Sequence, residues 1–172
     1  MITLIGSVLL ISGTAAYGLR GVLRLRERSR GLAAITHAIG VMQSEICDRL
    51  TPMPELLHQL SEEAEYPAGE LFKNAQEKMR AAIGGVSFAI IWRQAVQTTP
   101  ELMLTREEQS VLCELGLSLG RYNADQQKNA LQYTQRRMED FRQKADAERD
   151  SKSKMHAFLG VAAGIFAVVI LI

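Results

Sequence analysis

The sequence has few cysteines and histidines, so it offers little chemistry for disulfides or metal ions. The two cysteines among 172 residues, Cys47 and Cys113, lie far apart and form no CxxC pair. They give no sign of an exported disulfide scaffold, and each thiol is expected on a buried, apolar helix face. The three histidines form no HExxH or similar spacing, so we predict no bound metal.

Motifs of phosphate binding and nucleophilic catalysis are missing as well. No phosphate-binding Gly-x-x-x-x-Gly-Lys loop occurs, and Gly84-Gly85, which lacks the lysine, is expected to end a helix. No Gly-x-Ser-x-Gly occurs, and Cys47 has no evident histidine partner. We therefore predict a protein that is not an enzyme and binds no cofactor.

A strong net charge is also absent, because the formal value is +1 at pH 7. The middle of the chain, residues 31–150, carries 13 basic and 18 acidic residues. Proteins that bind nucleic acid present a basic face to the phosphates. This balance therefore argues against nucleic acid as a partner.

Charged residues are missing from both ends of the chain. Residues 1–19 contain none, and as a helix they would reach about 28 Å, close to the hydrocarbon thickness of a bilayer. Residues 155–172 form a second such run, in which His156 is expected to be interfacial. We predict two transmembrane helices. Gly160 and Gly164 have the GxxxG spacing that lets membrane helices pair, which is compatible with a homo-oligomer.

Basic residues follow the first apolar run at once. An export signal has its basic residues before the apolar core, whereas basic residues after the core resist translocation. Residues 142–154 repeat the bias with five basic and three acidic residues. We therefore predict an integral membrane protein whose middle is cytoplasmic. The basic collar, residues 20–30, is compatible with a second role in binding anionic lipid; its arginines are Arg20, Arg24, Arg26, Arg28 and Arg30.

The middle of the chain lacks the polar–apolar alternation of strands and shows helical spacing instead. Proline and glycine pairs divide it into about six helices, the last of which is expected to run into the second span. Thr51 and Ser87 are expected to cap helices, and Thr105 and Glu108 to form a capping box. We predict an all-α antiparallel bundle over residues 31–154. The first apolar stripe comprises Leu32, Ile35, Ile39, Met42, Ile46 and Leu50.

Basic residues are absent between Arg49 and Lys73, where five glutamates cluster. Two interpretations stay open. The glutamates form either a solvated helix face or a docking surface for a basic cytoplasmic partner. This acidic patch comprises Glu55, Glu62, Glu63, Glu65 and Glu70.

Two stretches, TPMPELL at 51–57 and LTREEQSVLCELGLSLGRYNADQQ at 104–127, resemble the stage III sporulation protein AB family of endospore-forming bacteria. The resemblance implies a platform similar to the inner-membrane domain of type II secretion and type IV pilus machines. It also implies a place in the mother-cell membrane around the forespore, beside a secretion-type ATPase and other channel proteins. The residues that carry the motif are Thr51, Pro52, Pro54, Leu115, Gly116, Leu119, Gly120 and Gln126.

The sequence and the resemblance together predict a non-enzymatic membrane platform of the channel complex that links mother cell and forespore. Two alternatives stay open at this point, namely a lipid-interacting structural membrane protein and an accessory transporter subunit. The apolar runs contain few polar side chains, which argues against a transport path through them.

Overall fold

The structure, a computed structural model, describes the backbone of residues 2–82, 84–119 and 124–171, and the side chains of 23–82, 84–119, 124–152 and 155. Within these ranges it contains six α-helices, one short 3₁₀-helix and no strand, which confirms the all-α bundle. The helices are α1 Ile2–Cys47, α2 Met53–Glu63, α3 Ala68–Ala81, α4 Phe88–Gln97, the 3₁₀-helix Pro100–Leu102, α5 Arg106–Ser118 and α6 Ala124–Leu171.

The chain forms two compact units. One consists of Met1–Glu27 with Lys144–Ile172, and the other is Arg28–Gln143. Helix α6 continues without interruption from Ala124 to Leu171, as the lack of a helix breaker predicted. Among the described residues no helix has the length and apolarity needed to cross a bilayer. The two predicted spans, 1–19 and 155–172, lie outside the described side chains except at Met155.

Proline and glycine end the middle helices where the sequence predicted. Helix α2 stops before Tyr66-Pro67, and α3 stops before Gly84-Gly85, whose φ angles of 83° and 77° suit glycine. The predicted capping box of α5 is present, since Thr105 Oγ1 accepts from the Glu108 amide while Glu108 accepts from the Thr105 amide. Ser87 precedes α4 as expected, although its side chain makes no capping hydrogen bond.

The prediction that Thr51 caps α2 is wrong. Pro52 occupies the capping position, and no side-chain capping bond is made there. The hydroxyl of Thr51 instead donates to Glu45 Oε2 at 2.8 Å, and the Thr51 amide donates to the Glu45 carbonyl at 2.9 Å. A capping hydroxyl would accept from a free amide of α2, whereas here the Thr51 hydroxyl donates to a buried carboxylate, a charge-assisted hydrogen bond that turns it back toward α1.

The buried face of each middle helix largely follows its predicted stripe. Leu50 is the main error, because α1 ends at Cys47 and the side chain of Leu50 is 74% exposed. A stripe with a helical period cannot extend past the last helical turn. Ile46, which also belongs to the predicted stripe of α1, is half-buried, and so are Met79, Phe88 and Gln127 of the later helices. Residues buried as predicted include Leu32, Ile35, Leu56, Leu60, Phe72, Leu112, Leu115, Leu131 and Met138.

Trp92 is the centre of the contact between α4 and α5. Its side chain is fully buried, and the indole Nε1 donates to the Leu112 carbonyl at 2.6 Å. The ring centroids of Phe72 and Phe88 each lie 5.8 Å from the centroid of the Trp92 ring. Gly116 faces the indole so closely that a Cβ at this position would lie 2.5 Å from Trp92 Cδ1. Only glycine lets α5 approach this ring.

Candidate docking surface

All five glutamates of the acidic patch are solvent-exposed, at positions on α2, on α3 and in the turn between them. None forms an ion pair with a residue that the structure describes. Gln59 donates to Glu63 Oε2 at 3.0 Å, which is a hydrogen bond within α2. The patch therefore presents uncompensated negative charge on two helices that pack against each other.

A groove of about 520 Å³ lies between α2 and α3. We call it the α2–α3 groove. One wall consists of Pro54, Glu55 and His58 from α2, and the other of Gln76, Met79 and Arg80 from α3. Glu55 belongs to both the groove and the acidic patch, so the two features form one continuous candidate surface.

The groove is not predicted from the sequence, although one residue, Gln76, indicates it. Gln76 follows Phe72 by four positions and therefore lies on the buried side of α3. Its side chain is only 9% exposed and makes no hydrogen bond within the described part of the chain. A polar residue on an otherwise apolar helix stripe is the pattern that would have indicated a binding position.

One arginine of the basic collar also makes a contact that the sequence did not predict. Arg28 Nη2 donates to Glu108 Oε1 at 2.6 Å, and the Glu108 side chain is 1% exposed. The same carboxylate accepts from the Thr105 amide at 2.6 Å. Arg28 therefore joins α1 to the start of α5 inside the bundle. Arg24, Arg26 and Arg30 are exposed, whereas the side chain of Arg20 lies outside the described residues.

The residues of the family motif lie in different environments: some are buried, one is hydrogen-bonded to α1, and others are exposed. Leu115 and Leu119 are buried, and Gly116 gives Trp92 its space. Thr51 bonds to Glu45, which also accepts from Arg49 Nη1 at 2.8 Å, so this part of the motif closes the end of α1. Pro52, Pro54 and Gln126 are exposed, and Gly120 lies outside the described residues.

Two thiols and one carboxyl group of the described residues have pKa values that depart from their ordinary range. Burial is the largest cause that raises the pKa of the Cys47 and Cys113 thiols. Both side chains are half-buried, not fully buried as the sequence predicted, because each lies at the edge of its helix's apolar face. Hydrogen bonds from Arg142, and then from Gln143, lower the pKa of Glu139 to about 2.

Metal-binding chemistry is not assembled in the described residues, where no three His, Cys, Asp or Glu side chains come together. A second, smaller cavity of about 130 Å³ lies between α5 and α6. The residues that line it are Val111, Glu114, Leu115, Ser118, Ala130, Tyr133 and Thr134.

The fold and this surface define an all-α helical bundle that offers an acidic, grooved face. The family model of stage III sporulation protein AB matches residues 3–172, and the chain belongs to that family. Family membership supports a role in sporulation; the family consists of structural sporulation proteins that are not known enzymes.

A solved structure of stage III sporulation protein AB (SpoIIIAB) is similar to this chain, with a TM-score of 0.66 and 21% sequence identity. The match covers 73% of this chain and 98% of the solved one. At that identity the likeness shows the fold, which agrees with the bundle described above. A search of curated protein sequences found no match.

Proposed function

We propose that the protein is a non-enzymatic membrane platform of the sporulation channel complex that links mother cell and forespore. In this proposal its bundle contacts a secretion-type ATPase, and the chain couples this motor to other membrane proteins of the channel. The arrangement would be similar to the platform of type II secretion and type IV pilus machines. Membership of the stage III sporulation protein AB family supports the setting.

The observation that carries the docking role is the exposed acidic patch. Its five carboxylates project from α2, α3 and the turn between them and have no ion-pair partner among the described residues. Charges that are unpaired on one molecule select and steer a partner of opposite charge. A basic face on the cytoplasmic ATPase is the partner that this surface fits.

The proposed location is a membrane, with the bundle in the cytoplasm. The uncharged runs 1–19 and 155–172 and the basic residues that follow or precede them support two anchors. Helices α1 and α6 begin or end within these runs and continue into Arg28–Gln143. By the family resemblance, the membrane is that of the mother cell around the forespore.

Charge reversal tests the docking role. The triple variant Glu62→Lys, Glu63→Lys and Glu65→Lys should lose most of the secretion-type ATPase that co-purifies from sporulating cells. The matched control is Glu101→Lys, Glu114→Lys and Asp140→Lys, which changes three exposed carboxylates outside the patch by the same total charge. The control should retain the ATPase.

Circular dichroism should show equal helix content in both variants. If the patch variant is folded and still captures the ATPase as well as the control does, the acidic patch is not the docking surface. If the unaltered chain captures no ATPase, the proposed partner is wrong.

A further inference from the structure

The α2–α3 groove contains a polar side chain, Gln76, that makes no hydrogen bond to the described residues and whose amide remains accessible from the groove. The Gln76 side chain is 9% exposed and lines the groove together with Met79 and Pro54. A primary amide has two donors and a carbonyl acceptor, all of which can bond a group that enters the groove. The groove therefore offers hydrogen bonds that the bundle itself does not use.

A peptide main chain matches this group. Each residue of an extended segment has one N–H donor and one C=O acceptor, so a glutamine amide can pair with both at once. The lining beside Gln76 includes the pyrrolidine ring of Pro54 and the thioether of Met79. Methionine adapts its shape to different apolar partners, which suits an anchor residue such as leucine.

The two walls of the groove carry side chains of opposite charge. Glu55 belongs to α2 and Arg80 to α3, and both side chains are exposed. Neither forms an ion pair within the described part of the chain. A bound segment can therefore pair a basic residue with Glu55 and an acidic residue with Arg80.

We propose that the α2–α3 groove binds a short segment of a protein partner, an apolar residue flanked by one basic and one acidic residue. Gln76 bonds its main chain, Met79 and Pro54 hold the apolar side chain, and Glu55 and Arg80 set its direction. This inference deepens the proposed docking role and rests on it, since it adds a specific recognition site beside the less specific acidic patch.

Peptide binding to the full chain in detergent micelles tests the proposal. Four fluorescent twelve-residue peptides share a central leucine and carry the flanks Lys/Glu, Glu/Lys, Lys/Lys or Glu/Glu. One mixed peptide should bind at least about tenfold more tightly than either single-charge peptide, a difference of roughly 1.4 kcal/mol. On binding, the Gln76 side-chain amide signals should shift in NMR spectra of ¹⁵N-labelled protein.

Variants then separate the groove from general charge effects. Gln76→Leu should weaken the preferred peptide about tenfold, a loss of roughly 1.4 kcal/mol of binding free energy, and leave the thermal midpoint unchanged or higher. Gln94→Leu, which alters an exposed glutamine of α4, is the matched control and should bind normally. The double variant Glu55→Arg with Arg80→Glu should prefer the opposite mixed peptide.

Three outcomes overturn the inference. They are the absence of binding by any peptide, equal affinity of Gln76→Leu and the unaltered chain, and a preference for the Lys/Lys peptide. The last outcome would indicate that the acidic charge acts alone. Capture of the ATPase is measured with variants that leave Gln76 and Glu55 intact, so a failure here is distinguishable from a failure of the proposed function.

Discussion

The α4–α5 contact and the α2–α3 pair solve the same packing problem in different ways. Between α4 and α5, Trp92 is fully buried, its indole nitrogen is hydrogen-bonded, and Gly116 removes the side chain that would block it. Between α2 and α3, the inner faces are buried, but an outer groove stays open, and Gln76 on its wall makes no hydrogen bond with the described residues. The first pair bonds its buried indole nitrogen internally, whereas the second leaves an amide open to the groove.

We therefore expect substitutions in these two regions to affect different properties: stability at the α4–α5 contact and partner binding at the α2–α3 groove. Substitutions in the closed α4–α5 contact should lower the free energy of unfolding, because a rigid neighbour cannot fill the lost space. Substitutions on the open groove should change binding and leave folding nearly intact. The following predictions use this contrast, from the largest expected effect to the smallest.

Trp92→Ala should destabilise the bundle by about 3–5 kcal/mol, because it empties a fully buried aromatic site and leaves the Leu112 carbonyl without its donor. Denaturant unfolding followed by circular dichroism measures this, since Trp92 is the single tryptophan and its fluorescence is lost. Arg80→Ala at the groove is the comparison and should change stability by less than about 0.5 kcal/mol. If both variants lost a similar amount of unfolding free energy, the proposed difference between the α4–α5 contact and the groove would be wrong.

Gly116→Ala should destabilise by about 1–3 kcal/mol, although alanine usually favours a helix over glycine. The added Cβ would lie 2.5 Å from Trp92 Cδ1, so the ring or the helix must shift. Thermal unfolding should show a lower midpoint. Ser118→Ala on the same helix is the control and should melt with the unaltered chain. A gain in stability for Gly116→Ala would mean that α5 does not approach the ring this closely.

The smallest expected effect concerns Cys113 and is a shift in the pH at which its thiol reacts. Burial raises the pKa of its thiol, while Arg93 partly opposes the shift. A pKa that is higher in the folded than in the unfolded state contributes stability at low pH, and this contribution is lost as pH rises through the folded pKa. In a Cys47→Ser background, iodoacetamide labelling measured by mass spectrometry should therefore reach half its maximal rate at a higher pH in the folded chain than in urea.

Equal labelling midpoints in the two states would contradict the burial of Cys113. Cys47 is replaced because burial raises the pKa of its thiol too, and two overlapping profiles would hide the shift. The serine substitution is conservative at a half-buried position, so the melting temperature of the background variant serves as the control for folding.

The sequence predicted the helices well where local chemistry decides the outcome. Prolines, glycine pairs and the Thr105–Glu108 capping box depend on backbone conformation within a few residues, and each ended or began a helix as expected. The exposure of the acidic patch was likewise readable, because five glutamates without a basic neighbour favour water.

The features that escaped prediction depend on residues far apart in the chain. The ion pair of Arg28 was not predicted, because its partner Glu108 is 80 positions away. The need for glycine at 116 is set by the ring of Trp92 on another helix. The groove likewise requires α2 and α3 to be placed side by side before Gln76 can be recognised as unpaired. Periodicity within one helix contains none of this information.

The ion pair between Arg28 and the buried Glu108 has an evolutionary consequence. A carboxylate that is 1% exposed and loses its guanidinium partner is strongly disfavoured, whereas an apolar pair of similar volume is tolerated. Positions 28 and 108 should therefore covary among homologues. Homologues that lack the arginine should also lack the glutamate. This correlation should hold even where the other arginines of the basic collar vary.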